Sequence, residues 1–233
     1  MCNRYRAAGA EELKRYFKEY WAIDYQPIGV RYNIAPNQIL PIVISDEAEK
    51  PVMEMARWNL TPSFEDKPNP NILRTNARSE EVLAKPSYRN GIQKRRCLVP
   101  ADGFYEWEWL AGGKVKMPWA FELIGKTPFS FAGIWEKGNE TRPPSFTILT
   151  TTPNELVAKI HDRMPVMLSD TNAQQWLVPG PMTKESLQTY VWPYPQEKMR
   201  SYPVNPALNS VRNDTAEAAA PYVAPKSDQG ELF

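Results

Sequence analysis

Near the start of the chain, Leu13, Tyr16, Phe17 and Tyr20 fall at i, i+3, i+4 and i+7, which predicts an amphipathic helix over residues 10–21. Downstream the period shortens. Apolar or alternating runs at 39–45, 52–58, 97–99, 105–109, 117–123, 129–134 and 145–151, parted by Pro, Gly, Asn and Asp turns, predict strands. Gly112-Gly113 reads as a hairpin turn. Pro153 stands where a first helical turn tolerates it, ahead of a helix over 154–160. Ser169-Asp170 cap a helix running through Trp176, and 183–191 reads as another. The 23 prolines oppose long helices and long regular strands, so the fold class is α+β with extended, fixed loops. No repeat or linker divides residues 2–215, which are expected to form one domain. Residues 216–233 lose aromatic density and turn to Ala, Pro and polar residues, the composition of a mobile tail.

Composition supports one substantial core: 42% of the 233 residues are hydrophobic, with 8 Trp, 11 Tyr and 8 Phe. No apolar run approaches the roughly 18 residues of a membrane span, and the opening Met1-Cys2-Asn3-Arg4-Tyr5-Arg6 lacks the apolar stretch of a signal peptide. A soluble, cytoplasmic protein without a membrane partner is expected. The two cysteines, Cys2 and Cys97, read as thiols, Cys97 as a buried one. With one histidine they cannot supply a zinc set, and no phosphate-cradling GxxxxGK[ST] or GxGxxG follows a strand, so neither metal nor cofactor is expected. The net charge of +1 hides a bias between Lys67 and Arg96, where eight Lys or Arg stand against Glu80 and Glu81 alone. Such a stretch can follow a phosphate backbone or form a solvated helix face.

Cys2 carries the most distinctive chemistry. A small residue at position two permits removal of the initiator methionine, which leaves a cysteine with a free α-amine beside its thiol. An α-amine titrates near about 7.7–8.0 against about 10.4 for lysine, so roughly a tenth or more is neutral at pH 7 against about 0.04% of a lysine. That favours attack on an aldehyde. Once an imine forms, the thiol can add to the same carbon and close a five-membered thiazolidine. His161, the sole histidine, suits proton transfer near neutral pH or serves as a helix-end or core residue. Glu106 alternates with Tyr105 and Trp107. A carboxylate among aromatics often titrates high and can shuttle protons, whereas a solvent-facing strand glutamate does not. Arg74, Asn76 and Arg78 share a period of two, which suits a phosphate-and-sugar rail or a loop held by salt bridges. Phe64 and Trp58 flank the Pro62 turn; either can stack on unpaired bases or complete the core, and the core is favoured for Trp58.

Five segments occur in order: Met1-Cys2-Asn3-Arg4-Tyr5, Tyr32-Asn33-Ile34-Ala35-Pro36, Thr75-Asn76-Ala77-Arg78-Ser79-Glu80, residues 96–107 (RCLVPADGFYEW), and His161-Asp162-Arg163-Met164-Pro165. Together they resemble the SRAP family, named for SOS-response-associated peptidases and including abasic-site shielding proteins. The resemblance implies curved antiparallel β-sheets forming a barrel-like core with short peripheral helices. It also implies binding of single-stranded DNA in a basic channel without metal, and a monomer is expected. Cys2 would form a thiazolidine with the ring-opened sugar aldehyde of an abasic site, and Glu106 would assist proton transfers. His161 would help imine chemistry and reversal, and Asn76 would position the N-terminus or the sugar. Arg4 and Arg78 match positions that hold phosphates, while Pro36 and the segment around Phe64 match loops that wedge against bases. Lyase activity and autoproteolytic exposure of Cys2 are further implications. The chain departs from the family pattern at Asn3, often Gly, and at Trp58-Asn59-Leu60-Thr61-Pro62-Ser63-Phe64 in place of a Trp-Gly-x-x-Pro-x-Trp segment. Competing readings are a cysteine peptidase using Cys2 and His161, and a non-covalent reader of single-stranded DNA.

Overall fold

The computed structural model describes residues 2–110, 113 and 115–223; Met1, Gly112 and the end of the expected tail lie outside the described residues. In chain order the strands are β1 (Tyr5–Ala7), β2 (Arg31–Ile34), β3 (Ile39–Ser45), β4 (Pro51–Trp58), β5 (Asn76–Arg78), β6 (Arg96–Ala101) and β7 (Gly103–Leu110). They continue with β8 (Val115–Leu123), β9 (Phe129–Glu136), β10 (Ser145–Thr151), β11 (Met164–Pro165), β12 (Met167–Leu168) and β13 (Met199–Pro203). The helices are α1 (Ala10–Trp21), α2 (Pro86–Lys94), α3 (Glu155–Ala158), α4 (Asp170–Leu177), α5 (Lys184–Gln188) and α6 (Ala216–Ala219).

Two sheets build the body. One runs β13-β8-β7-β1-β2. In the other, β3, β4, β6, β9 and β10 pair in a circuit, because β10 bonds both to β9, antiparallel, and to β4, parallel. This is the α+β, barrel-like architecture that the resemblance implies, with a parallel component where β10 meets β4 and β5. Apolar side chains fill it: Tyr5, Trp58, Phe104, Phe121, Phe131 and Phe146 belong to one buried cluster that also contains Cys2. Tyr5 meets the edges of Trp58 at 5.1 Å and Phe131 at 5.8 Å, so the first strand is anchored by aromatic packing. Trp58 is a core residue, and Cys97 is a buried free thiol.

Helix α1 spans the predicted residues, with Leu13, Tyr16 and Phe17 buried and Tyr20 half exposed at the edge of the stripe. Ala22 in the left-handed region ends it. Ser169 accepts a hydrogen bond from Asn172 N and starts α4 as predicted. Two expectations change. Residues 216–219, assigned to the tail, form α6, whose Ala218 and Ala219 are buried with Val204 and Leu208; small apolar side chains pack there without the aromatics that the tail lacks. The basic stretch between Lys67 and Arg96 is not one continuous charged surface. Arg96 is buried and donates to the carbonyls of Ile92, Trp176, Val178 and Gly180, while Arg95 pairs with Glu136 and Lys85 with Glu81. These cations serve helix ends and ion pairs; Lys67, Arg78, Arg89 and Lys94 remain exposed.

Candidate active site

The chain becomes a strand within a few residues of Cys2. Tyr5 pairs with Phe104, and Tyr105 N donates to Arg4 O at 3.1 Å, so each step back toward the N-terminus is a step forward along β7. That register brings residues 2 and 3 beside Glu106. The segment is tied at both faces. Arg6 sits between Asp102 (2.6 Å) and Glu122 (2.5 Å), while Arg4 donates to Asn33 Oδ1 at 2.8 Å and to the carbonyls of Leu208 and Asn209.

A second wall comes from β5, whose parallel pairing with β10 sets Asn76 opposite Ile148. Asn76 is buried, and its Nδ2 donates to Cys2 O at 2.9 Å and to Asn3 Oδ1 at 3.1 Å. Thr75 Oγ1 also donates to Asn3 Oδ1, at 3.0 Å, and Thr75 O is held by Trp58 Nε1. The third wall is the turn after α3. His161 N donates to Val157 O, and His161 Nδ1 accepts from Arg163 N at 3.0 Å. His161 Nδ1 also lies 3.0 Å from Asp162 Oδ1, and its Nε2 lies 4.0 Å from Glu106 Oε2. Arg163 braces this turn through a two-pronged bond to Glu80, at 2.7 and 2.8 Å, and a bond to Thr150 O.

Burial sets the protonation states. Glu106 is 2% exposed, and loss of solvation pushes its carboxyl up to about 7, so both forms are populated near neutral pH. Burial lowers His161, against the pull of Asp162, which keeps the imidazole neutral. The Cys2 thiol is driven well above its usual range, first by burial and then by the Glu106 charge, so the sulfur stays protonated. A group ready to give or take a proton thus faces a neutral imidazole beside a capped thiol.

Glu106 also leaves a signature in stability. Its folded-state pKa lies above the unfolded value, so the fold binds this proton more tightly than the open chain does. The penalty is absent below about pH 4.5 and complete above about pH 7. Glu106→Gln is therefore expected to be more stable than the parent at pH 8, by on the order of 3 kcal/mol, and to lose that advantage at pH 4.5. Urea midpoints at the two pH values check this; equal differences at both would show that Glu106 is not desolvated.

The residues singled out in the sequence thus fall into two groups. Cys2, Asn76, Glu106 and His161 come together from four separate segments. Arg78 follows Asn76 by two on the same strand and is exposed, as a rail would require. Arg74 is drawn off to Glu65 at 2.5 Å and fits the salt-bridged loop instead. Arg4 is half-buried and already bonded, with its guanidinium 5.7 Å from the Trp107 ring. Pro36 is half-buried and Phe64 is 62% exposed; next to Pro36, Asn37 Oδ1 accepts from Asn59 Nδ2 at the end of β4. Arg142 grips the Phe64 turn through the carbonyls of Pro62, Ser63 and Glu65. The Glu80–Arg163 brace and the bonds of Asn3 and Thr75 to the site escaped the sequence reading. Their only signal was membership of the same short segments.

The family described as SOS response associated peptidase (SRAP) matches residues 1–211. The chain is 39% identical over 197 residues to the abasic site processing protein YoqW of Bacillus subtilis, covering 83% of this chain and 86% of that one. It is 34% identical over 269 residues to the abasic site processing protein HMCES of Gallus gallus, covering 95% and 78%. Among solved structures, a Bacteroides thetaiotaomicron protein superposes with a TM-score of 0.78 at 25% identity, covering 95% of this chain and all of that one.

Proposed function

This chain belongs to the SOS response associated peptidase (SRAP) family, and from that premise we propose that it captures abasic sites in single-stranded DNA as a covalent adduct of Cys2. The observation that carries the reading is the convergence on Cys2 of the Asn76 carboxamide, at 2.9 Å from its carbonyl, and the Glu106–His161 pair. Relatives named abasic site processing proteins support the substrate.

The protonation states order the steps. The thiol is held neutral, so the α-amine exposed by removal of Met1 attacks first, forming a carbinolamine at the aldehyde carbon. Glu106, protonated in part near pH 7, gives a proton to the departing hydroxyl, and water leaves as the imine forms. Sulfur then bonds to the same carbon with one of its electron pairs, the C=N π pair returns to nitrogen, and the thiol proton passes to the Glu106–His161 pair. The sum is amine, thiol and aldehyde going to thiazolidine and one water. Running the proton transfers backward reopens the ring, and an imine that persists permits β-elimination, so reversal and lyase activity belong to the same proposal. Exposed Arg78 and Phe64 are assigned to the DNA, as is Pro36, with Arg4 holding phosphate from the side of β1. A peptidase would require a thiolate, which burial of Cys2 opposes.

Intact-mass measurement tests the proposal directly. The purified chain is expected to lack Met1 and, after incubation with an abasic oligonucleotide, to gain the mass of that oligonucleotide less one water. Methionine retained on capture-competent protein would overturn it.

A further inference from the structure

Asn3 is exposed, yet its side chain is turned inward upon the site. Its Oδ1 accepts two hydrogen bonds, from Thr75 Oγ1 at 3.0 Å and from Asn76 Nδ2 at 3.1 Å. Those bonds bear on a choice that the Asn76 carboxamide must make. A carboxamide can be turned over with little change of shape but a reversal of donor and acceptor. Here Nδ2 faces Cys2 O, Asn3 Oδ1 and Thr75 Oγ1, whereas Oδ1 is buried and has no hydrogen-bond partner among the described residues. Turning the group over would set its oxygen against the oxygens of Cys2 and Asn3, two repulsive contacts in place of two bonds. A buried amide oxygen left unpaired is costly, and such a cost persists where the group awaits a donor.

We propose that Asn3 is a positioning residue for capture: its side-chain oxygen fixes which way the Asn76 carboxamide faces, leaving Asn76 Oδ1 as the acceptor for a donor that arrives with the reaction. This rests on the reading of Cys2 as the capturing residue. Cys2 O alone supplies one fixed acceptor. Asn3 supplies a second, and ties the first residues of the chain to β5 through both Thr75 and Asn76. Without it the carboxamide keeps Cys2 O as its one fixed acceptor, because the Thr75 hydroxyl can accept from Nδ2 or donate to Oδ1, and it samples both orientations.

The test is single-turnover capture of an abasic oligonucleotide by the full chain and by Asn3→Ala, paired with side-chain amide NMR of Asn76 in both. Asn3→Ala is expected to reach the same final yield of adduct about 5–13 times more slowly, the effect of one lost neutral hydrogen bond at ~1–1.5 kcal/mol. The Asn76 NH₂ resonances are expected to shift and exchange faster. A rate within twofold of the parent overturns the proposal, and so does a slower rate with unchanged Asn76 resonances. Asn3→Asp, which keeps the acceptor, is expected to preserve the Asn76 resonances; their loss there also overturns it. If the parent forms no adduct, the reading of Cys2 has failed instead, while the resonances still report whether Asn3 orients Asn76.

Discussion

Cys2→Ala is expected to form no heat-stable adduct with single-stranded DNA carrying one abasic site, under conditions in which the parent converts the DNA to a slowly migrating species. The physical reason is that alanine keeps an α-amine, which makes a hydrolysable imine, but has no second nucleophile to close on the same carbon. Ring closure within one residue has an effective concentration on the order of 10⁵ M or more, so losing the sulfur removes nearly all of the driving force for a lasting bond. Cys2→Ser sharpens the comparison: its amine should still be trapped by borohydride, while the untrapped product should fall apart on heating. An undiminished heat-stable band from Cys2→Ala would refute the thiazolidine. Salt-sensitive binding unchanged by the substitution, with no covalent product from the parent, would favour a non-covalent reader of DNA.

The largest effect on stability is expected at Arg6. Its guanidinium lies between Asp102 and Glu122, and Glu122, whose side chain is fully buried, also accepts from Arg200 and from Tyr202 at 3.0 Å. Burial opposes the Arg6 charge, but Asp102 and Glu122 outweigh it and keep the group firmly protonated. Arg6→Ala removes the shared cation and leaves two carboxylates with too little compensation, a change that costs about 3–5 kcal/mol at such sites. In a chain of this size that lowers Tm by on the order of 10 °C. The pH dependence identifies the cause. Burial pushes the Glu122 carboxyl up, yet Arg6 and its other donors hold it below the usual range; its contribution is therefore present above the unfolded pKa and fades as pH falls through the folded value. The gap between parent and variant should narrow in acid, as protonation relieves the stranded carboxylate. A loss under 1 kcal/mol at pH 7 would contradict this account. Because Arg6 anchors β1, the variant is also expected to capture DNA more weakly, through displacement of Cys2.

Legibility in the sequence followed the range of the forces involved. Helix α1 was readable because Leu13, Tyr16 and Phe17 must share a face whatever they pack against. Strands β3 and β10 were readable to their ends, as apolar runs bounded by turn residues. Helix α2 was not assigned: of its residues only Tyr88, Gly91 and Ile92 are buried, and it falls in the basic stretch that read as following a phosphate backbone or forming a solvated helix face. Pro86 at its first turn was the available signal. Strand β5 showed only the period of two shared by Arg74, Asn76 and Arg78, too short to define a strand without β10 alongside.

The sequence by itself determined which chemistry the chain carries, since an amine and a thiol on one residue, one imidazole and one carboxylate amid aromatics are properties of residue type and near neighbours. Only the tertiary structure decided that they meet. The register of β1 on β7 sets Glu106 beside Cys2, the pairing of β5 with β10 delivers Asn76, and the Glu80–Arg163 brace holds the turn that carries His161. It also decided their charges, because burial that lifts Glu106 to about 7 and keeps the Cys2 sulfur protonated depends on atoms far away along the chain. Desolvation and hydrogen bonding act through space, and no local pattern of residues encodes which distant atoms will exclude the water.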